Sequence, residues 1–161
     1  MSLRADINSA LKQAMRDKAA ARLSTLRLIN AAIKDREIAL RGEAEETTLQ
    51  EADVLAILGK MVKQRQESAR TYEEGGRLDL AERELGEITV IEEFLPRKLD
   101  DGEVSAAIDK AMEEVGASSI RDMGKVMGAL KSRYTGQMDF GDVGPRVKDR
   151  LAQGGERAPG A

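Results

Sequence analysis

The sequence predicts an all-α protein, with an N-terminal long-helix hairpin unit followed by a small C-terminal three-helix bundle. Three observations carry this. Aliphatic residues recur every three or four positions along almost the whole 161-residue chain, the spacing of a helix face and not of a strand. Glycines and capping residues punctuate these stretches where helices would start and stop. One proline-centred segment, Leu95-Pro96-Arg97-Lys98-Leu99, reads as a linker. The expected division is residues 1–96 for the N-terminal helical unit, 97–152 for the C-terminal bundle and 153–161 for a disordered tail.

The first helix is expected over Ser2 to Asp17, where Leu3, Ile7, Leu11 and Met15 recur at four-residue intervals beside Ala10 and Ala14. Ala19-Ala20-Ala21 contains no breaker, so the boundary with the second helix, about Ala19 to Leu40, is open. That second helix shows Leu26, Ile29, Ile33 and Leu40 on one side, with Gly42 as its expected stop. Thr48-Leu49-Gln50-Glu51 matches a capping box ahead of the third helix, the hydroxyl accepting an orphan N–H and the glutamate reaching back. Along that helix Leu55, Leu58, Val62, Arg65, Ala69 and Tyr72 form a 3-4-3-4-3 seam, ended by Gly75-Gly76. A fourth helix from Leu78 offers Ala81, Leu85, Ile88, Glu92 and Leu95 before Pro96 stops it. Its Ile88-Thr89-Val90-Ile91 has strand-like residues, but the glutamate-rich, proline-free surroundings favour helix.

Asp100 caps a fifth helix with Glu103 three residues on, and Val104, Ile108, Met112 and Val115 form its buried stripe up to Gly116. Ser119 with Asp122 starts a sixth, which bears Met123, Val126, Met127 and Leu130 and ends at Gly136. Asp139 or Asp142 opens the last, with Phe140, Val143, Val147 and Leu151 at four-residue spacing. Pro145 suits a first turn but disturbs a helix that began at Asp139.

Composition limits the chemistry. There is no cysteine and no histidine, which removes thiolate nucleophiles, disulfides, the commonest metal ligand and the usual near-neutral proton shuttle. Nucleophilic catalysis therefore has no candidate residue, and no cofactor or metal is expected. Two carboxylate groups, Glu43/Glu45/Glu46 and Asp100/Asp101/Glu103, lie at helix boundaries, where acids favour the positive helix end; they read as solvated caps. Gly75-Gly76-Arg77 lacks the lysine and hydroxyl of a phosphate-binding loop and reads as a turn. The N-terminus shows no secretory core, and no uncharged run exceeds six residues, so the expectation is a cytoplasmic chain with no membrane span.

Charge is distributed unevenly within a net −3. Residues 100–117 set one base, Lys110, against six acids, whereas residues 118–152 set seven bases against four acids. That asymmetry can create a local field. The basic residues Lys125, Lys131, Arg133, Arg146, Lys148 and Arg150, six cations on two adjacent helices, are thus candidates for phosphate contact, with ordinary solvated faces as the bland alternative. Tyr134 and Phe140 are the nearby aromatics available for stacking. Gly124 and Gly128, within one helix, cost about 1 kcal/mol each relative to alanine. Close approach of a neighbouring helix is the simpler reason for them, and backbone exposure to an RNA phosphate the functional one. On the third and fourth helices, Lys60, Lys63, Gln64, Arg65 and Arg70 face Glu82, Glu84, Glu87 and Glu92, which reads as an interhelical ion-pair layer.

Several segments resemble one family in order along residues 1–152. Thr25-Leu26-Arg27-Leu28-Ile29-Asn30-Ala31-Ala32-Ile33-Lys34 is similar to the second helix of the YqeY family. Lys63-Gln64-Arg65-Gln66-Glu67-Ser68, Gly76-Arg77-Leu78-Asp79-Leu80-Ala81 and Glu92-Glu93-Phe94-Leu95-Pro96 are similar to its long hairpin. Asp122-Met123-Gly124-Lys125-Val126-Met127-Gly128-Ala129-Leu130 resembles the segment that the family shares with the tail of the GatB subunit of tRNA-dependent amidotransferase. The resemblance implies a two-part helical fold and a tail that contacts tRNA. Gly141, Gly144 and Pro145 depart from the lysine- and asparagine-bearing last helix of that tail, so Lys125 and Lys131 carry the correspondence best.

The function expected from residues and resemblance together is a non-catalytic tRNA-binding or tRNA-enzyme accessory protein. Its contacts would come from Lys125, Lys131, Arg121, Arg133, Lys148 and Arg150. Its partners would be tRNA or a tRNA-modifying or aminoacylating enzyme. The alternative is a helical protein–protein adaptor that docks through the hairpin. Carbon–nitrogen ligase activity within a complex is a third reading, inherited from the domain name.

Overall fold

A computed structural model describes residues 2–43 and 49–156. Among the described residues the chain is all-α, with seven α-helices, one short 3-10 turn and no strand. The helices are α1 (Leu3–Arg16), α2 (Ala20–Glu43), α3 (Glu51–Glu74), α4 (Leu78–Glu92), α5 (Asp101–Val115), α6 (Met123–Tyr134) and α7 (Phe140–Glu156). They gather into two compact units that divide between Pro96 and Arg97.

In the first unit Ile7 and Ala14 of α1, Leu26, Ile29 and Ile33 of α2, Val54, Leu58, Met61 and Val62 of α3, and Ile88 and Ile91 of α4 share one core. The α2 face expected from spacing is buried throughout, Leu40 included. Two expected core positions are not. Met15 is 52% exposed and Ala14 takes its place, because four-residue steps drift by about 40° per step around a 3.6-residue helix. Leu85 is likewise solvent-facing, and Ile91 replaces Glu92 on the buried side of α4. The Ile88–Ile91 stretch is helical.

The boundary between α1 and α2 lies at Lys18, whose φ is +56°. Its N–H donates to the Met15 carbonyl at 3.3 Å and that of Ala19 to Ala14 at 3.0 Å, the paired bonds of a Schellman stop. The same motif closes α3 at Gly76 and α5 at Gly116, both with positive φ. Gly42 stops nothing: α2 runs through it to Glu43. Thr48, the expected cap of α3, lies outside the described residues, as do Glu45 and Glu46. The helix is entered at Gln50, whose N–H donates to the Asp53 carboxylate at 2.8 Å. Glu51 turns instead to α1 and accepts the Leu3 N–H at 2.9 Å.

In the second unit α5, α6 and α7 share a core of Val104, Ala107, Ile108, Ala111, Val126, Leu130, Met138, Val143, Val147 and Leu151. Met112, Val115, Met123, Met127 and Phe140 pack at its margin rather than within it. The Asp100 capping box is present in both directions: Glu103 N–H to Asp100 at 2.7 Å, and Asp100 N–H to Glu103 at 3.1 Å. Ser119 and Asp122 open a 3-10 turn, Ile120–Asp122, that leads into α6. Asp139 starts α7 by accepting the Gly141 N–H on its side chain at 2.9 Å. Pro145 therefore sits inside the helix. α7 also continues through Gln153 to Glu156, where a disordered tail was expected; residues 157–161 lie outside the described residues.

Candidate nucleic-acid interface

The structure sorts the cations of residues 118–152 into two sets. In the first, arginines are tied to α5. Arg133 pairs with Glu114 and Arg150 with Asp109. Arg146 donates to Ser105 Oγ at 2.8 Å and lies 3.5 Å from the Asp101 carboxylate. The uneven charge of the two halves is thus in part internal bookkeeping between an acidic helix and its basic neighbours. Glu114 feels this: the hydrogen bond from Arg133 lowers its pKa.

In the second set, Arg121, Lys125, Lys131 and Lys148 are exposed and make no ion pair among the described residues. Arg121 belongs to the 3-10 turn and Lys125 and Lys131 to α6, while Lys148 projects from α7. At 100° per residue Lys125 and Lys131 fall about 120° apart. They flank the outer side of α6, opposite buried Val126 and Leu130, where Gly124 and Gly128 also lie. The six candidate cations therefore do not act as one cluster: Arg133 and Arg150 are engaged, and the other four are available.

The close approach of a neighbouring helix expected at Gly124 and Gly128 is absent among the described residues. A Cβ added at either position would meet nothing within 4 Å. The same openness holds at Gly59 and Gly86, so bare helix backbone alone does not mark the interface. Tyr134 and Phe140 are half-buried against the core of the second unit, which spends their ring faces on packing. Asp122 lies near Lys125, with its pKa lowered chiefly by the N–H groups of Ser118 and Ser119.

At the linker, Arg97 grips Glu103 with both guanidinium nitrogens, at 2.9 and 2.8 Å. This fork and the Asp100 N–H hold the Glu103 pKa down at about 2. The expected carboxylate group Asp100/Asp101/Glu103 is thus a cap with two arginine contacts. Among the described residues no group of three or more acidic side chains is placed to hold a metal ion. Between α3 and α4 the expected ion-pair layer is represented by Arg65 and Glu87. Their Nε–Oε2 distance is 2.9 Å, and Arg65 also donates to the Met61 carbonyl at 3.1 Å. Sequence reasoning overlooked the role of Arg22, which pairs with Glu93 and ties the start of α2 to the end of α4.

The chain is 29% identical over 120 residues to "Altered inheritance of mitochondria protein 41, mitochondrial" of Vanderwaltozyma polyspora, covering 70% of this chain and 62% of that protein. It is 36% identical over 111 residues to the protein of the same name in Clavispora lusitaniae, covering 67% and 61%. It is also 30% identical over 95 residues to an uncharacterized protein of Schizosaccharomyces pombe, covering 59% of this chain and 73% of the other. The chain spans about three-fifths of the length of the first two relatives.

These names correct the cytoplasmic expectation. The relatives are mitochondrial by name, and nothing in the comparisons supports a cytoplasmic place for this chain. Among the described residues no helix is long and apolar enough to cross a membrane. The family model described as "Yqey-like protein" matches residues 4–151, nearly the whole length, so this chain belongs to the YqeY family.

Proposed function

We propose that the protein is a non-catalytic tRNA-binding or tRNA-enzyme accessory protein. In this reading a long-helix hairpin formed by α3 and α4 precedes a three-helix bundle that holds the RNA. The observation that carries it is the exposed set Arg121, Lys125 and Lys131 on and before α6, outside any ion pair among the described residues, beside arginines paired with α5. Lysines on flexible stems suit phosphates as point charges, and their release of counterions makes binding steeply salt-dependent. The open backbone at Gly124 and Gly128 leaves room for a phosphate chain to lie between the two lysines. Without imidazole or thiol, the chain is better equipped to hold an RNA than to transform one.

Replacing Lys125 and Lys131 with glutamate together is expected to weaken tRNA binding at least tenfold at moderate salt, since two attractive contacts become repulsive. Unchanged affinity in the double variant would remove this site. One observation favours a second reading. Leu78 and Leu85, seven residues apart on the outside of α4, are 66% and 46% exposed, an apolar strip suited to a helical protein partner. A pull-down that keeps its protein partner after nuclease treatment, and loses it in Leu78→Asp/Leu85→Asp, would favour the adaptor.

A further inference from the structure

The chain holds two tyrosines, two phenylalanines and no tryptophan or histidine. None of these four rings belongs to an exposed residue. Tyr134 and Phe140 pack against the core of the second unit, Phe94 packs against that of the first, and Tyr72 is half-buried on α3. Three guanidinium planes that could substitute for rings, those of Arg133, Arg146 and Arg150, are held by α5. Proteins that read unpaired RNA splay its bases onto exposed rings, and this surface offers none. The RNA that suits it is one whose bases are already stacked on each other.

The outer face of α6 fits such a double helix. Around the helix axis Gly128 lies opposite the buried pair Val126 and Leu130, with Lys131 about 60° to one side of it and Lys125 about 60° to the other. The two lysines are also about 9 Å apart along the axis. Ser132 is exposed beside Gly128, and its hydroxyl has no partner among the described residues. No acidic residue occurs within α6, and a Cβ at Gly128 would meet nothing within 4 Å. The A-form minor groove is wide and shallow and displays 2′-hydroxyls between its two phosphate backbones. A helix with glycine on its centre line sits low in that groove, a cation over each edge and a hydroxyl towards the floor. Resting on the RNA-binding reading above, we infer that α6 lies in the minor groove of double-helical RNA. Lys125 and Lys131 then contact phosphates of opposite strands, and Ser132 hydrogen-bonds a 2′-hydroxyl.

Fluorescence anisotropy at one salt concentration tests this with the full chain and four probes. These are a tRNA, a blunt RNA duplex of about 16 base pairs, one of its strands alone, and the DNA duplex of the same sequence. The RNA duplex is expected to bind roughly tenfold tighter than the single strand, and also tighter than the DNA duplex, which lacks the 2′-hydroxyl. Ser132→Ala should shrink the preference for RNA over DNA and leave the salt dependence unchanged. Gly128→Leu fills the centre line at an exposed position. It should weaken RNA-duplex binding roughly tenfold with an unaltered far-UV circular dichroism spectrum. A single strand bound as tightly as the duplex, Gly128→Leu that binds like the wild type, or Ser132→Ala with its RNA preference intact would each overturn the inference. Binding to tRNA without binding to the duplex would overturn it and leave the RNA-binding reading standing. Binding to none of the probes would remove both.

Discussion

Lys18 shows how one residue sets the first turn of this fold. A left-handed backbone at a residue with a Cβ costs about 1 kcal/mol or more, and here the Schellman bonds around it hold the conformation. Lys18→Gly is therefore expected to stabilise the protein by about 0.5 to 1 kcal/mol, read as a higher midpoint in urea unfolding. Sequence could not place this stop, because lysine is not a residue that signals it. Gly76 and Gly116 do signal theirs, and both were legible. Arg65 and Glu87 make a second residue-scale case. Their side chains are 15% and 23% exposed, so solvent screens the pair only in part. Glu87→Ala should cost about 1 to 2 kcal/mol, because Arg65 is left half-buried beside only the Met61 carbonyl. A double-mutant cycle with Arg65→Ala checks the coupling.

Helix ends and helix faces divide what was legible at the scale of the element. The α5 cap was readable because Asp100 and Glu103 stand three apart before an apolar run, a purely local signal. The grip of Arg97 on Glu103 was not, since nothing in spacing tells which exposed arginine folds back. This grip has a pH consequence. Glu103 has a folded pKa of about 2 against an ordinary 4.5, so the unfolded chain binds its proton first as pH falls. The stability it contributes is whole above pH 4.5 and is lost as pH falls towards 2. Glu114 and Asp122 shift in the same direction. Glu103→Gln should flatten the acid-side fall in Tm between those pH values, and solvent screening keeps the effect modest. On α6 the glycines give an opposed pair of expectations. Gly128→Ala should stabilise the helix by up to about 1 kcal/mol, since the site is open and alanine is the better helix former. If phosphates approach that backbone, the same change should weaken tRNA binding.

For the whole molecule, the seven-helix architecture was legible because helix spacing is local and nearly every stretch shows it. Individual core positions such as Met15 and Leu85 were missed, because burial depends on which face the partner helices meet. The candidate interface was half legible. Six cations could be named from the chain, but Arg133 and Arg150 spend their charge on Glu114 and Asp109 of α5, a pairing between helices that sequence distance hides. The fold thereby separates arginines paired with α5 from exposed cations that make no ion pair among the described residues. The most direct test is the salt dependence of tRNA binding, measured by titration at several ionic strengths. Lys125→Gln with Lys131→Gln should reduce the slope of log affinity against log salt by about 2, whereas Arg133→Gln with Arg150→Gln should lower stability and leave the slope unchanged. Equal slopes for wild type and the lysine pair, or a larger loss from the arginine pair, would contradict this division of labour.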